Sequence, residues 1–91
     1  MKLALLDQGQ GEGEARVVET DGERTVLESS QPFPAGATLI GRSSSGAEYR
    51  VKVRGGRRID ARWFRIEGRF VSLTRPQREE ILAQVQGGAG T

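Results

Sequence analysis

The feature that most constrains the fold of this chain is a stretch of strict two-residue alternation. In residues 49–54 every second residue is apolar, and each residue that follows an apolar one is basic. Because successive side chains of a β-strand point to opposite faces of a sheet, this segment predicts a strand with one buried face and one basic face.

The segment that begins at Thr74 carries the sequence signature of a helix N-terminus. In Thr74-Arg-Pro-Gln77 the threonine hydroxyl is placed to accept a hydrogen bond from the amide of Gln77, and the glutamine side chain is placed to reach back. Pro76 lies in the first turn, where a missing N–H costs little. Ile81, Leu82 and Val85 then form one apolar stripe, so we expect an amphipathic helix that seals the core and ends at Gly87-Gly88.

Shorter strand patterns occupy the rest of the chain. Strands are expected at residues 3–6, 15–20, 24–28, 38–41, 49–54, 58–66 and 69–73. Asp21-Gly22 and Gly55-Gly56 are tight-turn dipeptides, and Gly68 is expected to separate the last two strands. Six or so short antiparallel strands and one helix predict a mainly β fold, a small six-stranded antiparallel β-barrel with a C-terminal α-helix over its open end.

The length of 91 residues predicts one domain with a modest core. We divide the chain into a flexible N-terminal arm or short strand at residues 1–13, the barrel and helix at residues 14–86, and a disordered tail at residues 87–91. The arm is expected because residues 8–14 are polar and rich in glycine.

The chain contains neither cysteine nor histidine, which excludes several chemistries. Disulfides and thiolate metal sites need cysteine, and histidine is both the commonest general base and a common zinc ligand. The serines at positions 43–45 therefore have no activating base. We expect a protein that is not an enzyme and holds no cofactor. The absence of a long apolar run predicts no membrane insertion and a cytoplasmic location.

The charge is divided along the sequence, and it marks a candidate binding region. Residues 1–49 carry four basic and eight acidic side chains, whereas residues 50–91 carry ten basic and four acidic ones. Arginine pairs bidentately with carboxylate and phosphate, and tryptophan is a frequent interface anchor. The candidate partner- or ligand-binding residues are Arg54, Arg57, Arg58, Arg62, Trp63 and Arg65.

Two other interpretations of this region stay open. The arginines can be a solvated strand face whose charges discourage aggregation. Trp63 can pack beneath the helix, against Ile81 or Val85, instead of contacting a partner.

The chain resembles the PilZ domain family over about residues 15–85. The similar segments are Leu-Glu-Ser-Ser at 27–30, Pro-Ala-Gly at 34–36, the strand at 49–54 and the run from 65 to 73 that leads into the helix. This resemblance implies a six-stranded barrel with a C-terminal helix. Many members of the family bind the bacterial second messenger cyclic di-GMP.

The ligand motifs typical of the family are not in their usual places. Cyclic di-GMP binders carry Arg-x-x-x-Arg before the barrel, where this chain has only Arg16. They also carry Asp/Asn-x-Ser-x-x-Gly on an early strand, and the segment from Asp21 has neither the serine nor the glycine in place. Residues 58–62 spell the first motif, and residues 41–46 half of the second, at other points in the strand order.

The resemblance therefore implies a degenerate PilZ-like signalling adaptor that acts through contacts with another protein, without conventional cyclic di-GMP binding. One alternative is a cyclic di-GMP effector. Another is a small basic barrel that binds nucleic acid without sequence preference, in which case the affinity should fall steeply with salt.

Overall fold

The computed structural model describes residues 1–6 and 13–87 of the chain. Its elements are β1 (Lys2–Leu5), β2 (Glu14–Thr20), β3 (Arg24–Ser29), β4 (Thr38–Arg42), β5 (Glu48–Arg58), β6 (Phe64–Val71) and α1 (Arg75–Leu82), which continues into a π-helical turn at Ala83–Gly87. Residues 7–12 of the predicted arm and 88–91 of the predicted tail lie outside the described residues.

The six strands form a closed antiparallel barrel in the order β1-β2-β3-β6-β5-β4. Pairing of Ala4 with Arg42 and of Leu5 with Gly41 joins β4 to β1 and closes the wall. The predicted barrel with one C-terminal helix is therefore confirmed. Since β3 lies beside β6 and not beside β4, strands β3 to β6 form a Greek key.

The topology gives the barrel two different ends. The helix end carries the turns at residues 21–23 and 43–47 together with α1, and the loop end carries the connection at residues 30–37 and the turn at residues 59–63. Ile81 is fully buried at the helix end, with Leu82 and Val85 packed against the same core. Phe33 is buried at the loop end. The expectation that the helical stripe seals the barrel is confirmed, and the β3–β4 connection closes the opposite end.

Two local sequence signals form as predicted. Thr74 Oγ1 accepts from the amide of Gln77 at 3.3 Å, and Gln77 Oε1 accepts from the amide of Thr74 at 3.0 Å, which completes the capping box. In the β2–β3 turn Gly22 has φ of +94°, and Asp21 Oδ1 accepts from the amides of Glu23 and Arg24 at 2.9 and 2.8 Å. Both signals depend on a side chain bonding to nearby backbone, so local sequence is enough to specify them.

The predicted turn at Gly55-Gly56 is wrong, because β5 continues through both glycines to Arg58. A β-bulge between Val53 and Gly55 takes up one extra residue and keeps the pairing with β6. Neither glycine has the positive φ that a tight hairpin turn requires. The chain reverses later, at residues 59–63, where Asp60 Oδ1 accepts from the amides of Arg62 and Trp63.

The predicted strand break at Gly68 is also wrong, since β6 runs unbroken from Phe64 to Val71. A Cβ at position 68 would overlap the carbonyl oxygen of Lys52 and lie 2.8 Å from Val51 Cγ1. Glycine is needed here because β5 approaches β6 closely. A glycine within a strand can mark such a close approach of two backbones as well as a break in the strand.

Candidate functional site

The six predicted binding residues all lie on one hairpin, which we call the β5–β6 tip and define as residues 54–65. Arg54 occupies the bulge, and Arg57 and Arg58 end β5. The fourth and fifth members of the set lie in the turn at residues 59–63, and Arg65 lies near the start of β6. The hairpin therefore brings together residues that the sequence pattern assigned to two strands and a glycine turn. The residues in the turn are Arg62 and Trp63.

The tip is a concentration of positive charge that the protein neutralises only in part. Arg57 lies directly opposite Arg65 across the two strands. Arg65 Nε lies 4.0 Å from Glu67 Oε1, whereas the other tip arginines form no ion pair with any described residue. Like charges directly opposite one another destabilise a sheet. The arrangement thus presents guanidinium groups whose hydrogen-bonding capacity is available to a partner.

Trp63 is half-buried at the loop end, and the Arg16 guanidinium lies over its ring at 5.0 Å from the centroid. Arg16 also donates to Glu28 Oε1 at 2.7 Å, so it is held from two sides. The alternative that Trp63 packs beneath the helix is wrong. Trp63 precedes β6 and α1 follows it, and eight strand residues at about 3.3 Å each separate the two ends.

Arg54 lies at the bulge, at the end of the tip farthest from the turn. It lines a groove of about 610 Å³ that also includes Glu19 and Arg24 from strands β2 and β3. The other members of the predicted set lie beyond the bulge, toward the loop end. Sequence spacing alone could not separate them, because the alternation changes phase at Gly55, where no side chain marks the bulge.

A shallow depression lies on the outer side of the tip, and the sequence interpretation missed it. It encloses about 320 Å³ and is lined by Gly55, Gly56, Arg57, Arg65 and Glu67. Gly55 leaves this face open, since a Cβ there would meet no atom within 4 Å, whereas a Cβ at Gly56 would lie on the inner face, 2.9 Å from Ile66 Cδ1. The Gly-Gly pair is the sequence signal for this depression. The same dipeptide is typical of tight turns, so the sequence pattern predicts a turn here instead.

Several residues that the resemblance singled out make contacts within the protein, although Arg58 and Arg62 form no ion pair with any described residue. Arg16 is held by Glu28 and Trp63, and backbone amides bonded to Asp21 hold the pKa of its carboxyl group below the ordinary value. Between Arg58 and Arg62, the carboxylate of Asp60 organises the turn.

A second polar cluster fastens α1 to the helix end of the barrel. The Tyr49 hydroxyl donates to the Glu80 carboxylate, and Ser43 Oγ donates to the same carboxylate at 3.4 Å. Gln77 Nε2 donates to the carbonyl of Glu48 at 2.7 Å. Tyr49 is only 1% exposed, so its hydroxyl needs an internal partner.

The titration properties of this cluster follow from its geometry. Burial and the hydrogen bond to Glu80 raise the pKa of Tyr49. Hydrogen bonds from Ser45 and Tyr49 hold the pKa of Glu80 below its ordinary value. The cluster thus pairs a neutral phenol with an ionised carboxylate at neutral pH, an arrangement that stabilises helix docking. No local pattern marks this cluster, because the alternation at residues 49–54 predicts only that the Tyr49 side chain is buried.

Comparisons with protein-family models, with curated proteins and with solved structures found no match. Within residues 1–6 and 13–87, no group of three or more acidic side chains is placed to hold a metal ion. None of the described helices is long and apolar enough to cross a membrane. The tip is therefore the part of the described structure from which we infer a function.

Proposed function

We propose that this protein is a non-enzymatic, PilZ-like signalling adaptor that binds another protein through the β5–β6 tip, without conventional cyclic di-GMP binding. The observation that carries the proposal is the tip itself, where four arginines lack an ion pair with any described residue beside a half-buried tryptophan. Those arginines are Arg54, Arg57, Arg58 and Arg62.

The chemistry of the tip favours an acidic protein surface as the partner. A guanidinium group binds a carboxylate through two parallel hydrogen bonds, and arginine and tryptophan dominate the energetics of protein interfaces. Arg16 holds the Trp63 ring in place before binding, which reduces the entropy lost when the ring becomes buried. A rigid aromatic ring surrounded by available cations is a typical protein-binding arrangement.

The surroundings of the arginine pair at residues 58–62 argue against a dinucleotide as the ligand. Asp60 lies between Arg58 and Arg62, and its carboxylate would stand close to the phosphates that the two guanidinium groups would hold. Arg16, the one arginine at the strand position nearest the family's first motif, is engaged by Glu28. Its release would have to precede phosphate binding.

The aromatic residues argue against nucleic acid. Proteins that bind single strands stack successive bases on several exposed rings. Here Phe33 and Tyr49 are buried, Phe70 packs against the core with its ring edge-on to Tyr49, and Arg58 lies over Phe64. Trp63 is left as the one candidate platform among the five aromatic residues, and Arg16 covers one of its faces.

Affinity capture from the cells that encode the chain, with quantitative mass spectrometry, tests the proposal. We expect one partner to be retained by the wild type and lost from Trp63→Ala and from the double variant Arg58→Glu, Arg62→Glu. The double variant Arg42→Glu, Arg75→Glu changes the charge equally at the helix end and should retain the partner. Equal retention by all variants would contradict the assignment of the tip.

Two titrations separate this proposal from its alternatives. Calorimetry with cyclic di-GMP should give no heat of binding, and micromolar affinity would make the protein a ligand sensor instead. Gel shifts with single- and double-stranded DNA at low salt should show no complex. A complex whose affinity falls steeply as salt rises would indicate a nucleic-acid-binding barrel.

A further inference from the structure

On the basis of the proposed function, we propose that the partner binds as an extended acidic peptide. This peptide adds a strand to the free edge of β5 at residues 54–58. In this mode main-chain hydrogen bonds provide affinity, while side-chain contacts provide specificity. The tip would then contribute an edge, a depression and a set of charges to a single interface.

The edge is free because β4 is much shorter than β5. Pairing between these strands ends at Thr38 with Lys52. The next bonds come from the loop, where the Gly36 amide donates to the Val53 carbonyl at 2.8 Å and the Val53 amide donates to the Ala37 carbonyl at 2.9 Å. Beyond Val53, β6 is the one strand among the described residues that pairs with β5.

The backbone groups that point to this edge follow from the hairpin. The Ile59 amide donates to the Trp63 carbonyl at 3.0 Å, so residues 59 and 63 form a hydrogen-bonded pair. Antiparallel pairs alternate, so Gly56 opposite Ile66 and Arg58 opposite Phe64 are non-hydrogen-bonded pairs, whose N–H and C=O groups point away from β6. Such an edge offers donors and acceptors to another chain.

The outer face beside this edge is open, whereas on the inner face the Phe33 carbonyl oxygen lies 3.5 Å from the Cβ position of Gly56. A Cβ at Gly55 would meet no atom within 4 Å, so internal packing does not require glycine there. The depression of about 320 Å³ lies beside Gly55 and Gly56. Because side chains of an added strand alternate between its faces, every second one can enter this depression.

The charges on the tip determine which peptide fits. Arg57 and Arg58 are exposed at the edge, Arg54 lies at its first residue, and Arg62 lies in the turn that follows it. Asp and Glu residues of a peptide would pair with these guanidinium groups. A second copy of this chain would instead place arginine beside arginine, which opposes edge-to-edge dimerisation. Acidic composition is therefore the expected property of the occupant.

The test begins with a phage-displayed library of random 12-residue peptides selected on the full chain. We expect the selected peptides to be rich in Asp, Glu and β-branched residues and free of proline at their centre. In NMR titrations with a selected peptide, the amides of Gly56 and Arg58 should shift most, and their hydrogen exchange should become slower. Selection of no peptide, or of peptides without acidic bias, would overturn the inference.

Two variants at one position separate the charge from the main-chain contact. Arg58→Gln removes the charge but keeps the edge-facing N–H, and we expect about threefold weaker binding of the selected peptide. Arg58→Pro removes the charge and the N–H. The hairpin should persist, because this N–H does not pair with β6. The selected peptide should bind about tenfold more weakly to Arg58→Pro than to Arg58→Gln. Equal binding by the two variants would contradict strand addition.

Modified peptides test the same point without altering the protein. N-methylation of alternate peptide amides should abolish binding in one register and leave it nearly unchanged in the other, because an added strand uses every second amide. If methylation has no effect but binding still needs Trp63 and the tip arginines, strand addition fails and the proposed function stands. If the peptides bind equally to Trp63→Ala and to the double variant Arg58→Glu, Arg62→Glu, the proposed function fails as well.

Discussion

Replacement of Gly68 by alanine provides the sharpest test of the corrected strand assignment. The added Cβ would overlap the carbonyl oxygen of Lys52 and lie 2.8 Å from Val51 Cγ1. One of these neighbours is backbone of the adjacent strand, so no side-chain rotation can relieve the overlap. We therefore expect β5 and β6 to separate locally around this position.

The magnitude can be worked out from the contacts that such a separation disturbs. Displacing β5 lengthens the two hydrogen bonds nearest Gly68, and each contributes about 1 kcal/mol to stability. Overpacking against Val51 adds about 1 kcal/mol. The total destabilisation is about 3 kcal/mol, which corresponds to a fall in Tm of roughly 12 to 24 °C for a domain of this size.

Urea denaturation provides the assay, and Gly55→Ala is the matched control. A Cβ at position 55 meets nothing within 4 Å and the residue has no positive φ, so alanine there should leave stability unchanged or raise it by about 0.5 kcal/mol. The denaturation midpoint should fall sharply for Gly68→Ala with little change in slope. If both variants fall within about 0.5 kcal/mol of the wild type, the close approach of β5 to β6 is wrong.

Two other regions of the structure give further predictions. Tyr49→Phe should lower the free energy of unfolding by about 1.5 kcal/mol, because Glu80 loses a hydrogen bond, as measured by urea denaturation at pH 7. Since the folded state holds the pKa of Glu80 below its unfolded value, its stabilisation is complete above pH about 4.3 and is lost as pH falls through the folded-state pKa. Glu80→Gln should remove that part of the pH dependence, and unchanged acid sensitivity would contradict the assignment. Trp63 is the single tryptophan, so the fluorescence of the protein should change in Arg16→Ala but not in Ile81→Ala. A change in Ile81→Ala and none in Arg16→Ala would indicate that Trp63 packs beneath the helix.

The local signals were readable from the sequence because they depend on residues near one another. The alternation at residues 49–54 predicts a strand whose inner face is buried, and the structure confirms it. The capping box at Thr74 and the turn at Asp21-Gly22 form from side chains and the backbone within three residues. The arginine-rich segment was likewise visible, and the structure places all of it on one hairpin.

Tertiary structure alone decided what the glycines do and where the aromatic side chains lie. Glycine permits both turn and strand conformations, so the neighbours of Gly55, Gly56 and Gly68 choose between them. The hydrogen bond between Tyr49 and Glu80 joins residues 31 positions apart. No local pattern encodes such a contact.

The free edge of β5 has the same origin. It exists because β4 begins at Thr38, opposite Lys52, while β5 continues past the bulge to Arg58. This difference in length arises between two strands that pair only in the folded barrel. The sequence by itself determined the alternating strand at residues 49–54, the start of the helix and the position of the charges along the chain, because period and capping are local properties. The barrel determined which backbone groups are left for a partner, because hydrogen bonding between strands depends on their register in three dimensions.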